Sequence, residues 1–117
     1  MKKKSVRKSE REMSDMALEM IATRFRALSE PMRLRLLNQL MQGERSVGQL
    51  VETTKSSQAN VSKHLAVLRD AGLIAMRKEG VSSFYRINDP LVHELCELMC
   101  SRLRREMESQ NKALAGI

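Results

Sequence analysis

The sequence predicts a mainly α domain of five helices with one small β-hairpin, and three observations predict it. Apolar residues recur at three- and four-residue steps through most of the chain, as helices with one buried face require. That period switches to two after Gly72 and returns to helical spacing after Asn88-Asp89-Pro90. Aromatics make up only 3% of the 117 residues, with no Trp and nine Met, so the core must be built of Leu, Val and Met. Such a core favours helix packed on helix. A chain of this length is near the lower end of what builds a good core alone, and a helical layer shared with a second copy would bury more surface.

Each element has its own signals. Residues 1–12 carry six basic and two acidic groups and read as a flexible basic arm. Ser14 and Asp15 are cap candidates for a first helix, in which Met13, Met16, Ala17, Met20, Ile21, Phe25 and Leu28 form the apolar side. Ser29-Glu30-Pro31 starts a second helix, with a cap candidate and then Pro in the first turn. Met32, Leu36, Leu37, Leu40 and Met41 give it a buried face, and Gly43 ends it. Ser46-Val47-Gly48-Gln49 matches a capping box at the head of a short third helix anchored by Val47, Leu50 and Val51. Thr53 to Ser56 is a tight polar turn, and Ser56 or Ser57 caps the fourth helix.

The fourth helix organises the rest. Val61, Leu65 and Leu68 make its apolar stripe, and Gly72 stops it. Gln58, Asn60, Ser62 and Lys63 lie off that stripe, with His64 at its flank. These are amide, hydroxyl, imidazole and ammonium groups, able to read base edges and hold phosphates. Two short helices joined by such a turn, the second with a readable face, form a helix-turn-helix. A hairpin follows: Leu73 to Lys78 with Ile74 and Met76 on one side, a turn at Glu79-Gly80, and Ser83 to Ile87 with Tyr85 and Ile87 on one side. Arg77 and Lys78 stand just before its tip. A helix-turn-helix followed by a basic two-stranded hairpin is a winged helix-turn-helix, with the wing placed for phosphate contact. Asn88-Asp89-Pro90 opens a long last helix whose Leu91, Val92, Leu95, Leu98, Met99, Leu103 and Met107 spread over about half its circumference. A stripe that wide can serve its own domain and a second subunit, so the first and last helices are read as a homodimer layer. The core domain is expected over residues 13–108, with a frayed polar tail over 109–117.

Charge supports a polyanion partner. The net charge is +7, and it is distributed as +4 over residues 1–12, zero over 13–29, +4 over 30–88 and −1 over 89–117. Ser57, Gln58, Asn60, Ser62, Lys63, His64, Arg77 and Lys78 are therefore the candidate contacts to double-stranded DNA, with helix packing as the other reading of His64 and a metal-ligand role disfavoured for it. Two recognition helices of a dimer would enter successive major grooves about 34 Å apart. No carboxylate pair, phosphate loop or Ser/His/Asp arrangement argues for an enzyme. A winged-helix module that binds protein remains the alternative class. No apolar run approaches the length of a membrane span and no hydrophobic stretch follows the basic N-terminus, so a cytoplasmic protein is expected.

Ser57 to Ile74 (SQANVSKHLAVLRDAGLI) resembles the recognition segment of the ArsR family of bacterial winged-helix repressors. The likeness extends to Leu28 through Leu37, to Ser46-Val47-Gly48-Gln49-Leu50 and to Phe84-Tyr85-Arg86-Ile87, and it covers roughly residues 15–105. The resemblance implies a homodimer that represses transcription from an inverted-repeat operator, with many relatives releasing DNA on binding a metal ion, arsenite or a reactive sulfur species. The sequence departs from the family at its best-known sensing sites. The arsenite-sensing Cys-Val-Cys positions are Ser46 and Gly48 here. Of the zinc-sensing set on the last helix only Asp89 remains, the other slots falling at Leu91, Arg102 and Arg105.

The remaining sensor candidates are Cys96, Cys100 and His93, which fall within about 60° of one another on a helical wheel. Two thiolates and an imidazole on one face suit a soft or borderline metal or metalloid ion. An intrahelical disulfide is disfavoured, because Cβ atoms at i, i+4 lie ~5–6 Å apart against the ~3.5–4.5 Å that a disulfide prefers. Two cysteines four residues apart also do not make a disulfide framework, in keeping with a reduced compartment. The competing reading is structural: both cysteines lie at the edge of the apolar stripe, where a buried Cys acts as a small hydrophobe, and the regulator then has no small-molecule effector.

Overall fold

The computed structural model describes residues 12–115, with side chains through Asn111. The basic arm expected over residues 1–12 therefore lies, apart from Glu12, outside the described residues. Among the described residues, five helices and three strands follow in the order α1 (Asp15–Leu28), α2 (Pro31–Leu40), β1 (Arg45–Ser46), α3 (Val47–Thr54), α4 (Gln58–Asp70), β2 (Ile74–Glu79), β3 (Ser82–Ile87) and α5 (Leu91–Ala115).

Side chains close the helix starts as the cap signals require. Ser14 Oγ accepts the Ala17 N–H at 3.1 Å. For α2 the cap is Glu30, not Ser29: its carboxylate accepts the Arg33 N–H at 3.1 Å while Pro31 occupies the first turn. Ser46 and Gln49 form a reciprocal capping box on α3, at 3.1 and 2.9 Å. Ser57 Oγ accepts the Asn60 N–H at 3.1 Å. Each such cap satisfies a backbone donor that the helix itself leaves unpaired.

Gly72, at φ 78°, takes the left-handed conformation that turns the chain from α4 into β2. The hairpin pairs Ile74 with Ile87 and Met76 with Tyr85, so its apolar residues share one face. The sheet is larger than the two-stranded wing that the sequence predicts. β1 pairs antiparallel with β3, Arg45 opposite Tyr85 and Ser46 opposite Phe84, giving the order β1-β3-β2. A two-residue strand is too short to show a period in sequence, yet it covers one edge of the hairpin.

The core sits where α2, α3, α4 and the sheet meet. Leu36, Leu37, Leu50, Val61, Leu65, Leu68 and Ile74 are fully buried there. α1 adds Ala27 and α5 adds Val92, with Cys96 partly covered at the edge. Beyond that first turn and a half, α5 leaves the body. It runs through Ser109 to Ala115, where the polar composition predicts a frayed tail. Gln, Lys, Ala and Leu are strong helix formers, and their propensity outweighs the lack of an apolar face.

Candidate nucleic-acid interface

α3, a turn and α4 build the first part of the site. Lys55 ends α3 in the left-handed conformation, at φ 55° and ψ 35°, and its N–H reaches the Val51 carbonyl at 2.9 Å. The Thr54 hydroxyl donates to the Leu50 carbonyl at 2.6 Å, and Asn60 Nδ2 donates to Ser56 Oγ at 2.8 Å. These bonds fix the angle at which α4 leaves the turn. Val61, Leu65 and Leu68, all fully buried, seat α4 on the core. Gln58, Ser62 and Lys63 are exposed on its outer side, together with Ala59.

The structure divides the candidates on α4 by angle. A two-residue step turns a helix by about 200°, so Gln58, Asn60, Ser62 and His64 cannot share one face. Gln58 and Ser62 do. Asn60 is half-buried against the turn. Of the two readings of His64 the structure fits helix packing, not base contact: it is 8% exposed and turned into the protein. Its Nδ1 lies 3.2 Å from Arg33 Nη1, and since a guanidinium only donates, Nδ1 accepts and the ring proton sits on Nε2. Arg33 also donates to the carbonyls of Ala27 at 2.7 Å and Arg26 at 3.0 Å, and Glu30 approaches His64 at 3.9 Å. His64 thus ties α4 to the end of α1 and the start of α2.

The wing supplies the second part. Arg77 and Lys78, adjacent on a strand, project to opposite faces of the sheet. Lys78 lies on the face of Ile74 and Met76, at its exposed end. Arg77 is held. Its Nε and Nη2 donate to the two carboxylate oxygens of Glu44 at 2.9 and 2.7 Å, and Nη1 donates to Glu79 at 2.6 Å. The guanidinium also lies 4.7 Å from the centre of the Phe84 ring. The hydrogen bond from Arg77 holds the Glu44 carboxyl below the usual carboxylate range, and both carboxylates push Arg77 further up. No ion pair among the described residues engages Lys63 or Lys78.

α1 and α5 carry the third part. A cavity of about 190 Å³ opens between them, walled by Ile21, Phe25, Leu28, Leu91 and Leu95. Past it the apolar surface continues outward: Met16 is 74% exposed and Leu98 70%, with Met20, Met99, Leu103 and Met107 also more than half exposed. Of the sensor candidates, Cys96 is half-buried while His93 and Cys100 are exposed. Burial first and the neighbouring Cys100 second push the Cys96 thiol up. Among the described residues no three His, Cys, Asp or Glu side chains converge as a metal site within one protomer.

Arg33, Glu44 and Lys55 are the residues that sequence reasoning misses. Arg33 and Glu44 act on partners 31 and 33 positions away, and no local period reports such a contact. Lys55 carries a weak local signal, since a basic residue in the turn stands beside the start of α4.

Comparison with known proteins accords with this geometry. The family model for bacterial regulatory proteins of the arsR family matches residues 30–75. A probable mercury resistance operon repressor of Streptomyces lividans is 42% identical over 74 residues, which cover 63% of this chain and 59%, under two thirds, of that repressor. An uncharacterised HTH-type transcriptional regulator of Mycobacterium tuberculosis is 33% identical over 80% of this chain and 82% of its own length. The solution structure of a homodimeric winged helix-turn-helix DNA-binding domain from Mycobacterium bovis, a possible ArsR-family transcriptional regulator, superposes with a TM-score of 0.75. It is 30% identical, and the match covers 85% of this chain and 94% of that domain.

Proposed function

The chain belongs to the ArsR family of bacterial regulatory proteins, a family of winged helix-turn-helix transcriptional regulators, and from that premise we propose that it acts as a homodimeric repressor on an inverted-repeat operator. One observation carries the reading. The outer side of α4 presents Gln58, Ser62 and Lys63 to solvent, on a helix that three fully buried residues hold rigidly to the core. Gln58 and Ser62 read base edges in the major groove, and Ser57 and Asn60 set the start of the helix. Lys63 and Lys78 hold phosphates on either side. Repression follows from occupancy, because the bound dimer obstructs polymerase. It is also the sense named for the Streptomyces relative.

Dimerisation through α1 and α5 is supported by the apolar surface those helices leave uncovered. It places two α4 helices on one face of the duplex, about one helical turn apart. Cys96 and Cys100 stand on α5 in that layer, where thiols of two subunits can meet. They are the groups through which a thiol-reactive or soft-metal signal would reach the dimer.

Binding-site selection from genomic fragments tests the reading. Wild type is expected to enrich an inverted repeat at moderate salt. Gln58→Ala should relax preference at one position of each half-site, by about 1–3 kcal/mol of discrimination. Lys63→Ala should weaken all sequences alike and flatten the salt slope by about one. Absence of any sequence-selective binding would transfer the site to a protein partner.

A further inference from the structure

We propose that Glu44 is a positioning residue that withholds Arg77 from DNA phosphate, so that the outer face of the wing is an electrostatically closed surface. The inference rests on the DNA-binding reading above and concerns how strongly the wing contributes to it.

Charge placement carries the argument. Strand alternation and register put Ala75, Arg77 and Glu79 of β2 on the same face as Ser82, Phe84 and Arg86 of β3. Ser46 of β1 pairs with Phe84, which brings the preceding Glu44 beside that face. Two arginines and two carboxylates therefore share it, and they cancel. The hairpin that looks basic in sequence is neutral on this side.

Arg77 is also largely engaged, with three of its five N–H donors taken. Three of its donors point at carboxylate oxygens, two of them in the bidentate fork that a phosphate would otherwise occupy. Its remaining face stacks on Phe84. A phosphate reaching for this guanidinium must first displace Glu44 and Glu79, and both repel it. Lys78, on the opposite face, meets no such obstacle. The arrangement lowers sequence-independent affinity, which for a regulator searching many non-specific sites widens the ratio between operator and random DNA.

The test is a cycle of Glu44→Gln, Arg77→Ala and the double variant. Each is titrated as full-length protein onto a random-sequence duplex from 50 to about 200 mM salt, the range over which phosphate contacts are read. Glu44→Gln is expected to raise non-specific affinity roughly three- to tenfold and to steepen the log–log salt slope by about 0.9, one additional phosphate. On the Arg77→Ala background the same change should give no gain in slope. Should Glu44→Gln fold poorly by thermal unfolding, Glu79→Gln carries the same expectation. An unchanged slope in Glu44→Gln, or a gain that persists without Arg77, overturns the proposal, the second because bulk charge would then explain it. If wild type binds no duplex at any salt, the DNA-binding reading fails with it. If wild type binds and loses affinity on Lys63→Ala while Glu44→Gln changes nothing, only this inference fails.

Discussion

In the body formed by α2, α3, α4 and the sheet, Leu36, Leu37, Leu50, Leu65 and Leu68 are fully buried. On α1 and α5, by contrast, Met16, Met20, Leu98, Met99, Leu103 and Met107 stay more than half exposed. Both regions show the same apolar spacing in sequence. The difference is in what each helix has to pack against. The body closes around its own residues, whereas α5 meets that core, among the described residues, only through Val92 and Cys96. The apolar stripe exposed there is the surface through which the proposed dimer would form. The body is thus built to hold α4 still, and in the proposed dimer the outer helices would set where its twin lies.

The contrast breaks most visibly at Leu65. This residue is fully buried beneath α4, and Leu65→Ala is expected to cost about 2–5 kcal/mol, the range for a large-to-small change in a closed core. A steep fall in Tm by calorimetry, with loss of operator binding in proportion to the unfolded fraction, is the outcome. If Leu65→Ala costs no more than a surface substitution, α4 is not seated as described.

Leu98→Glu and Leu103→Glu probe the other region. Both positions are exposed in the single chain, so the body should keep its secondary structure. Buried in a dimer, an unpaired carboxylate is strongly unfavourable. Sedimentation should show the dimer dissociating, with dimerisation weakened by a factor of ten or more, and operator affinity should fall because two half-sites are no longer linked. A dimer that tolerates both charges would move the interface away from α5.

Much of this division was legible in the sequence. Ser14, Ser46 with Gln49, Ser57 and Gly72 each mark an element boundary by a local chemical rule, and each stands where that rule puts it. Ile74 with Met76, and Tyr85 with Ile87, share one face as period-two alternation predicts, while the cross-strand register is set by the fold. What escaped was set by angle or by distance along the chain. His64 has the chemistry of a base-reading residue, but its angle from Gln58 on the helix directs it at Arg33. β1 is too short for a pattern. The charges at the wing were counted along the chain, and only the fold reveals that Glu44, across a third strand, faces Arg77.

The smallest effect tests the polar seam where the body closes its sheet. Apolar packing is indifferent to acid, but Glu44 is not. Its carboxyl is held below the ordinary value of 4.5, first by the hydrogen bond from Arg77, so the folded state binds a proton less readily than the unfolded chain. A group shifted in that direction contributes stability that is complete above the unfolded pKa and is lost as pH falls through the folded one. Because the pair is solvent-exposed, screening keeps the contribution small. Glu44→Gln should therefore lower Tm slightly at pH 7, and the gap from wild type should close as pH is taken below the carboxylate range. Among the described residues the outer helices offer no such pair, and Leu98→Glu should show the opposite trend, its harm to the dimer easing as acid neutralises the new carboxylate. A Glu44→Gln gap that stays constant down to pH 3 would mean that the contact between β1 and the wing is held by shape and hydrogen bonding, not by charge.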